Sequence, residues 1–419
     1  MNVRNGYKVT ELGEIPCDWE VCPIGKYIKL VLRETQKPNT SYVSVGVRSH
    51  GKGTFHKFVE RPETVMMDKL YIVKENDLIV NITFAWEHAV AIAKKEDGGL
   101  LVSHRFPTYE IDQQKIVVNY LRYLILQERF REKLELISPG GAGRNRVLSK
   151  KDFINIDIPI PPFHEQQQIA EVLSTNDIQI LKIDEIINKT NEVKQGMMQE
   201  LFTKGIGQKE FKDSTLGEIP KEWEVKKMKE ICSIFVGIAT STTEHYVDSG
   251  VPLIRNQNIK ENYLDSEELL YISEEFSEKN KNKKLLAGDV ITVRTGYPGV
   301  SCVVTPQLEG SQSFTTLISR PNNKVVLSDF LAYYINSDIG KRYIFLKQAG
   351  GAQQNLNVSS LNEVKVPLPP ITEQREIASI LFSIDEKINV LIKRKHQLEE
   401  IKRGLMQDLL VGRVRVNVD

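Results

Sequence analysis

The strongest constraint on this chain is that much of it is written twice. Leu12-Gly13-Glu14-Ile15-Pro16 with Trp19-Glu20-Val21 recurs as Leu216-Gly217-Glu218-Ile219-Pro220 with Trp223-Glu224-Val225. Ile158-Pro159-Ile160-Pro161-Pro162 recurs as Val366-Pro367-Leu368-Pro369-Pro370. Glu165-Gln166, Ile169-Ala170 and Leu173 match Glu373-Gln374, Ile377-Ala378 and Leu381. Lys194-Gln195-Gly196-Met197-Met198-Gln199-Glu200-Leu201 matches Lys402-Arg403-Gly404-Leu405-Met406-Gln407-Asp408-Leu409. Four blocks in one order, about 200 residues apart, mark duplication of a long unit and exclude a short-period solenoid. Between the blocks the copies diverge. Tyr42–Lys52 has no clear counterpart beside Val251–Asn258, so the expectation is two modules of one architecture with two binding preferences.

Each copy opens with about 160 residues of mixed character, short β-branched and aromatic runs punctuated by Gly-containing turns. Leu70–Val73, Leu78–Ile82 and Val290–Val293 read as strands, Val118–Leu126 and Phe330–Ile335 as helices. This is an α+β module large enough for its own core. The Pro-Pro pair then stops any strand, and apolar residues change to heptad spacing without proline over 165–203 and 373–411. The seam runs through Ile169, Leu173, Ile180, Ile183, Ile187, Met197 and Leu201, with Asn176, Thr190 and Lys194 between them. In the second copy it runs through Ile377, Leu381, Ile384, Ile388, Leu391, Leu398, Leu405 and Leu409, with Lys395 and Lys402 between. Such stripes also suit a domain core, but the duplication and the Pro-Pro lead favour paired helices. Pairing within one chain requires the second helix to run back along the first, an antiparallel coiled coil with a pseudo-twofold axis. About 38 residues per helix give a rod of roughly 57 Å. The expected layout is a first globular domain over 1–160, a first helix over 161–208, a second globular domain over 209–368 and a second helix over 369–419. Gly196 and Gly404 inside the helices read as points of close approach, by the partner helix or by a partner subunit; Gly205 and Gly412 suit helix ends.

Composition narrows the function classes. With 41% hydrophobic and 26% charged residues this is ordinary globular usage, neither disordered nor fibrous. No window approaches a membrane span, and Met1–Gly6 lacks the apolar core of a signal peptide. Four cysteines are too few for a disulfide scaffold, which fits a reducing cytoplasm. The 56 Lys+Arg against 55 Asp+Glu give a formal net charge of +1, so any case for nucleic-acid binding must rest on how charge is distributed.

At Pro161-Pro162-x-x-Glu165-Gln166-x-x-Ile169-Ala170, its copy at Pro369–Ala378, and the paired Gly-Met/Leu-Met-Gln-Glu/Asp-Leu blocks, the sequence resembles the specificity (S) subunits of type I restriction-modification systems. The resemblance covers nearly the whole chain, including both Leu-Gly-Glu-Ile-Pro-x-x-Trp openings. It implies two target-recognition domains, each reading half of a split site in double-stranded DNA, and helices that separate them and hold two methylation subunits. Restriction subunits would join through the complex. S-adenosylmethionine, and ATP with Mg for restriction, would bind those partners and no cofactor this chain. Two major-groove readers on one face of a duplex favour centres roughly 34–36 Å apart, within the rod's length.

Base edges are read chiefly by Arg on guanine and by Asn or Gln on adenine, whereas Lys mostly holds phosphate. On that chemistry the candidates in the first module are Arg48, His50, Lys52, His56, Lys57, Arg105, Arg144, Asn145 and Arg146. In the second they are Arg255, Asn256, Gln257, Asn258, Arg294, Gln312, Gln353, Gln354 and Asn355. Both modules carry a Gly-Gly-Ala loop followed by different side chains, Arg-Asn-Arg against Gln-Gln-Asn; the loop either contacts DNA or merely turns the chain.

Catalytic signatures are weak. Gly46-x-x-x-x-Gly51-Lys52 is followed by Gly53 where a phosphate-binding loop needs Ser or Thr. His164-Glu165 lacks a zinc protease's second His, and Cys17 and Cys22 lack a later ligand pair. Ile160-Pro161-Pro162-Phe163 lacks the leading Asp or Asn of amino-methyltransferases. No catalytic or metal residue is therefore expected. The rival readings are a coiled-coil scaffold whose end modules bind protein or ligand, and an enzyme with a site near Gly46.

Overall fold

The computed structural model describes residues 3–141, 146–348 and 355–416. The chain divides into two compact units, Met1–Asp184 with Arg394–Asp419, and Glu185–Lys393. Each holds one α+β module and part of both long helices, Phe163–Thr203 and Ile371–Leu409. Among the described residues no helix is long and apolar enough to cross a membrane.

In the first unit the duplicated blocks meet. Tyr7–Thr10 and Gly13–Pro16 form a hairpin, and Glu20–Pro23 then pairs antiparallel with Asp157–Ile160, so the module's first and last segments share hydrogen bonds. Pro161-Pro162 ends that strand and the long helix starts at Phe163. Trp19, fully buried, donates its indole Nε1–H to Glu165 Oε2 at 2.9 Å. The neighbouring Gln166 accepts from the Val117 amide at 2.9 Å and donates to the Pro161 carbonyl at 3.0 Å. It thereby satisfies an orphan amide where the helix Val118–Leu124 begins. The second unit repeats this. Glu224–Lys227 pairs with Lys365–Leu368, Trp223 Nε1–H donates to Glu373 at 3.0 Å, and Gln374 bridges the Leu327 amide and the Pro369 carbonyl.

Each module carries two sheets, one with the same strand order in both and one of five strands in the first module and four in the second. The first has the antiparallel sequence Val90–Ile92, Leu78–Val80, Thr108–Ile111, Ile28–Val31. The second module matches it with Ser301–Val303, Val290–Thr292, Leu317–Pro321, Cys232–Val236. In the other sheet a central strand, Tyr42–Val47 or Val251–Ile254, has one parallel neighbour, Leu101–Val102 or Gln312–Ser313. Antiparallel to it lies Thr54–Val59 or Leu270–Ile272. Divergence starts inside this common plan. The buried Asp77 and Asp289 stand at matching places before a strand, yet one pairs at 2.5 Å with Arg33, in the link between Ile28–Val31 and Glu34–Gln36, and the other at 2.8 Å with Arg320, inside the strand Leu317–Pro321. The Leu78–Ile82 run is a strand only to Val80. Gly46 lies within the strand Tyr42–Val47, not in a loop opening a helix, so the weak phosphate-loop match has no cradle.

Within each unit the long-helix segments run antiparallel. In the first, Asp177 pairs with Lys402 at 2.6 Å and Asp184 with Lys395 at 2.7 Å. Seven residues forward on one helix are seven backward on the other, as a heptad seam requires. Every seam position named above is buried or half-buried, whereas Ile178, Leu181, Val193, Phe382, Val390 and Ile401 are exposed. The ends of the seams join the module cores: Ile169, Leu173 and Leu409 in the first unit, Leu201, Ile377 and Leu381 in the second. The lysines that interrupt the stripe have partners. Lys402 pairs with Asp177, which accepts the Tyr123 hydroxyl at 2.8 Å, and its ammonium lies 5.7 Å from that ring's centroid. In the second unit Lys194, Asp385 and Tyr333 repeat the triad, with the Tyr333 hydroxyl 2.8 Å from Asp385 and Lys194 5.7 Å from the ring. Each triad ties a seam to a module helix. Gly196 and Gly404 correct the sequence expectation in part: a Cβ at either would meet nothing within 4 Å, so neither marks close approach between the helices.

The triads carry a stability consequence. Lys194 and Asp385 side chains are 10% and 22% exposed, so Asp385→Ala strands a mostly buried ammonium and a tyrosine hydroxyl. The expected loss is about 2–3 kcal/mol, read as a lower urea midpoint. Glu200→Ala, which breaks the exposed pair with Lys204, should shift it little; equal effects of the two would sink the argument.

Candidate nucleic-acid interface

In the first module three candidate regions converge on the segment 82–88. The loop joining strands Tyr42–Val47 and Thr54–Val59 rests on its far end: Ser49 Oγ donates to Glu87 at 2.6 Å, and the amides of His50 and Gly51 donate to the Glu87 and His88 carbonyls at 2.7 and 3.0 Å. His50 and Gly51 have φ of 61° and 63°, the left-handed turn the tip needs. Arg105 accepts the Ile82 amide on its carbonyl at 3.0 Å and reaches Thr83 Oγ1 with Nη1 at 3.5 Å. The segment between the helices Glu128–Leu136 and Lys150–Phe153 docks through the Leu148 amide on the Ile82 carbonyl at 2.8 Å. His88 anchors this platform. It is buried, and since a carbonyl only accepts, its Nε2–H donates to Ile125 O at 2.6 Å. Burial holds the imidazole below its ordinary pKa of 6.5.

Arg48, His50, Lys52, Lys57 and Arg105 are exposed. Two other candidates are engaged within the chain. Arg146 donates to the Ser138 and Glu135 carbonyls, both at 3.0 Å, and lies 5.0 Å from the Trp86 ring centroid, so its fork is occupied. His56 faces the buried Asp97 at 2.8 Å, a carboxylate that also accepts from Thr54 and the Lys94 amide. In both, intramolecular acceptors take up the groups a base would need. Arg144 and Asn145 lie outside the described residues.

The second module uses the matching segment differently. Leu356 donates to the Arg294 carbonyl at 2.9 Å, as Leu148 does to Ile82. Asn256 Nδ2 donates to Thr295 Oγ1 at 2.9 Å, and the Tyr297 hydroxyl donates to the Asn256 carbonyl at 2.8 Å. Arg255, Asn256 and Arg294 are thus gathered with Asn355 nearby in sequence to Leu356, and Gln257 and Asn355 are exposed. Arg255 follows its central strand as Arg48 follows the first module's. Two candidates are buried and bonded within the fold. Gln312 is fully buried in the strand Gln312–Ser313, its amide donating to the Ser277 and Asn280 carbonyls at 3.2 and 3.1 Å. Asn258 is buried and braces its own turn, accepting from the Arg255 amide at 3.0 Å and donating to the Asp265 carbonyl at 3.2 Å. Side-chain type cannot reveal this; strand facing decides it for Gln312 and the short turn Asn256–Asn258 for Asn258. Gln353 and Gln354 lie outside the described residues.

The structure adds aromatic candidates that side-chain forks alone did not suggest: Phe55 and Phe58 beside the basic loop, and Tyr297, 46% exposed, beside Asn256. Aromatics interleaved with Arg, Lys and Asn were the available signal.

The family model "Type I restriction modification DNA specificity domain" matches twice, over residues 8–195 and 220–403. The MjaVIII type I restriction enzyme specificity subunit of Methanocaldococcus jannaschii is 30% identical over 96% of this chain and 94% of its own. The EcoBI specificity subunit of Escherichia coli is 24% identical over 60% and 58%. Among solved structures, a type I restriction-modification system S subunit from M. genitalium superposes with a TM-score of 0.56 at 15% identity, covering 100% of this chain and 99% of that one. A chain from a study of type I complex assembly gives a TM-score of 0.59 at 16% identity over 96% and 99%. These likenesses concern the fold.

Two outcomes follow from the geometry. Because folding keeps His88 neutral where the unfolded chain would take up a proton, stability is full above its ordinary pKa and falls as pH drops through 6.5. The melting temperature should therefore fall more steeply below that pH in the natural protein than in His88→Gln; parallel profiles would exclude the assignment. Gln312→Ala should cost about 1–3 kcal/mol of stability in a melt and leave base preference unchanged. A selective change at one base pair would restore it as a reader.

Proposed function

The chain belongs to the type I restriction modification DNA specificity family, and from that premise we propose that its two modules each read one half of a bipartite, asymmetric DNA site. As a specificity subunit it recognises DNA and leaves catalysis to other chains. In this reading the long helices set the spacer and dock two methylation subunits, which bind S-adenosylmethionine; restriction subunits using ATP and Mg join through them, in the cytoplasm. The observation that carries the reading is that matching positions on a common plan hold different side chains. Ile82 and Arg294 occupy one such pair, each accepting an amide from the leucine that precedes its module's last strand. The basic loop around Arg48 and the Arg255–Asn256 turn occupy another, each following a central strand. A shared plan keeps docking constant while the side chains it presents set sequence.

Methylome sequencing of a host with and without this chain tests it. The expected result is a split, asymmetric methylated motif that vanishes with the chain; a contiguous motif, or none, would contradict it. Inserting four residues into one long helix adds about 6 Å and should lengthen the spacer or abolish methylation. An unchanged spacer with full methylation would remove the helices' role as a ruler.

A further inference from the structure

The loop after the first module's strand Tyr42–Val47 holds an arginine over an aromatic ring. Phe55 stands opposite Gly46 in the pairing of Tyr42–Val47 with Thr54–Val59. Its ring covers the glycine so closely that a Cβ on Gly46 would lie 2.4 Å from Cζ. Over the same ring, with its Cζ 5.5 Å from the centroid, lies the Arg48 guanidinium. The backbone beneath is pinned: the Arg48 amide donates to Gly53 at 2.9 Å, and the tip is bonded to Glu87 and His88. The Arg48 side chain is exposed and, among the described residues, has no hydrogen-bond or ion-pair partner. Its neighbours differ, since Arg146 is bonded to carbonyls and Arg105 reaches Thr83.

A phosphate contact needs only a positive charge, and a flexible lysine supplies it. Holding a planar guanidinium against a ring on a rigid hairpin instead fixes the plane and direction of its N–H fork. Fixing it beforehand also removes ordering cost from binding. The base edge that suits such a fork is guanine O6 and N7 in the major groove, which is wide enough for a two-stranded ribbon. We infer that Arg48 is a specificity-determining residue for one guanine in the half-site read by the first module, and that Phe55, seated on Gly46, is its positioning residue. This rests on the DNA-reading function proposed above. The second module has Arg255 at the matching place, but there Nε is buried and the following turn is braced by Asn258, so the stacked reader is particular to the first half-site.

The test is competition binding by the full chain with its methylation subunits, on duplexes carrying the methylated motif with each base pair of the first half replaced in turn. Arg48→Ala should lose discrimination at a single G·C pair by on the order of 10- to 100-fold, leaving the other positions and the second half-site unchanged. Phe55→Leu and Gly46→Val should lose most of the same discrimination, and Phe55→Tyr should retain it. A purely structural role for Phe55 would instead weaken binding to all sequences. Should Phe55→Leu fail to fold, Gly46→Val and Phe55→Tyr still decide the positioning role and Arg48→Ala the reading role. A uniform loss in Arg48→Ala, with the salt slope reduced by about one, would make it a phosphate contact and overturn the inference; so would an unchanged profile. Discrimination lost in Arg48→Ala but kept in both Phe55→Leu and Gly46→Val would overturn the positioning half. A natural complex without preference for its own motif would overturn the DNA-reading function itself, and that is visible before any variant is made.

Discussion

A buried carboxylate gathers each unit. Glu165 accepts the indole N–H of Trp19 and a bidentate contact from Arg415, at 2.6 and 2.8 Å. Glu373 accepts the indole N–H of Trp223, the Ile206 amide at 2.8 Å and the Gln208 side chain. A buried carboxylate is costly unless hydrogen-bonded, and here the donors come from the module's opening and the segment beyond a long helix, while the carboxylate itself sits at a helix start. That accounts for why Trp, Pro-Pro and Glu-Gln travel together through the duplication. Gly412, at φ 69°, turns the chain against Trp19, and Gly205, at φ 68°, turns it against Trp223. Either glycine replaced would press a Cβ on the docked ring or its neighbours.

The seam's polar interruptions have the same logic. A heptad stripe of isoleucine and leucine would tolerate slippage, whereas one lysine that must meet one aspartate, itself committed to a tyrosine hydroxyl, permits a single register. Register then passes from helix to module, since Tyr123 and Tyr333 belong to the module helices Val118–Leu124 and Ser328–Asn336. Constant register and one sheet of constant strand order leave the loops at the strand ends free to differ, which is where a reader of sequence can vary without refolding.

Much of the plan was legible in the sequence because duplication and heptad spacing are properties of residue order. The long helices begin at the residues after Pro162 and Pro370, within two positions of where proline and apolar spacing place them. The candidate contacts were less legible. Gln312, Asn258, His56 and Arg146 have the chemistry of readers but are spent inside the fold. Phe55 and Tyr297 gain interest only from what they lie against. Gly196 and Gly404 show the same limit, since a helical glycine signals packing only when something is packed there.

Residue order alone determined that this chain is one unit twice over, with two modules of different interior and two helices with a continuous seam. Those features follow from periodicity and repetition, which need no coordinates. Tertiary structure decided which polar side chains face outward. That depends on strand register, where one residue's shift exchanges core for solvent, and on contacts such as Trp19 with Glu165 or Phe55 with Gly46, whose partners lie 146 and 9 positions apart. No local pattern in the sequence encodes such distances.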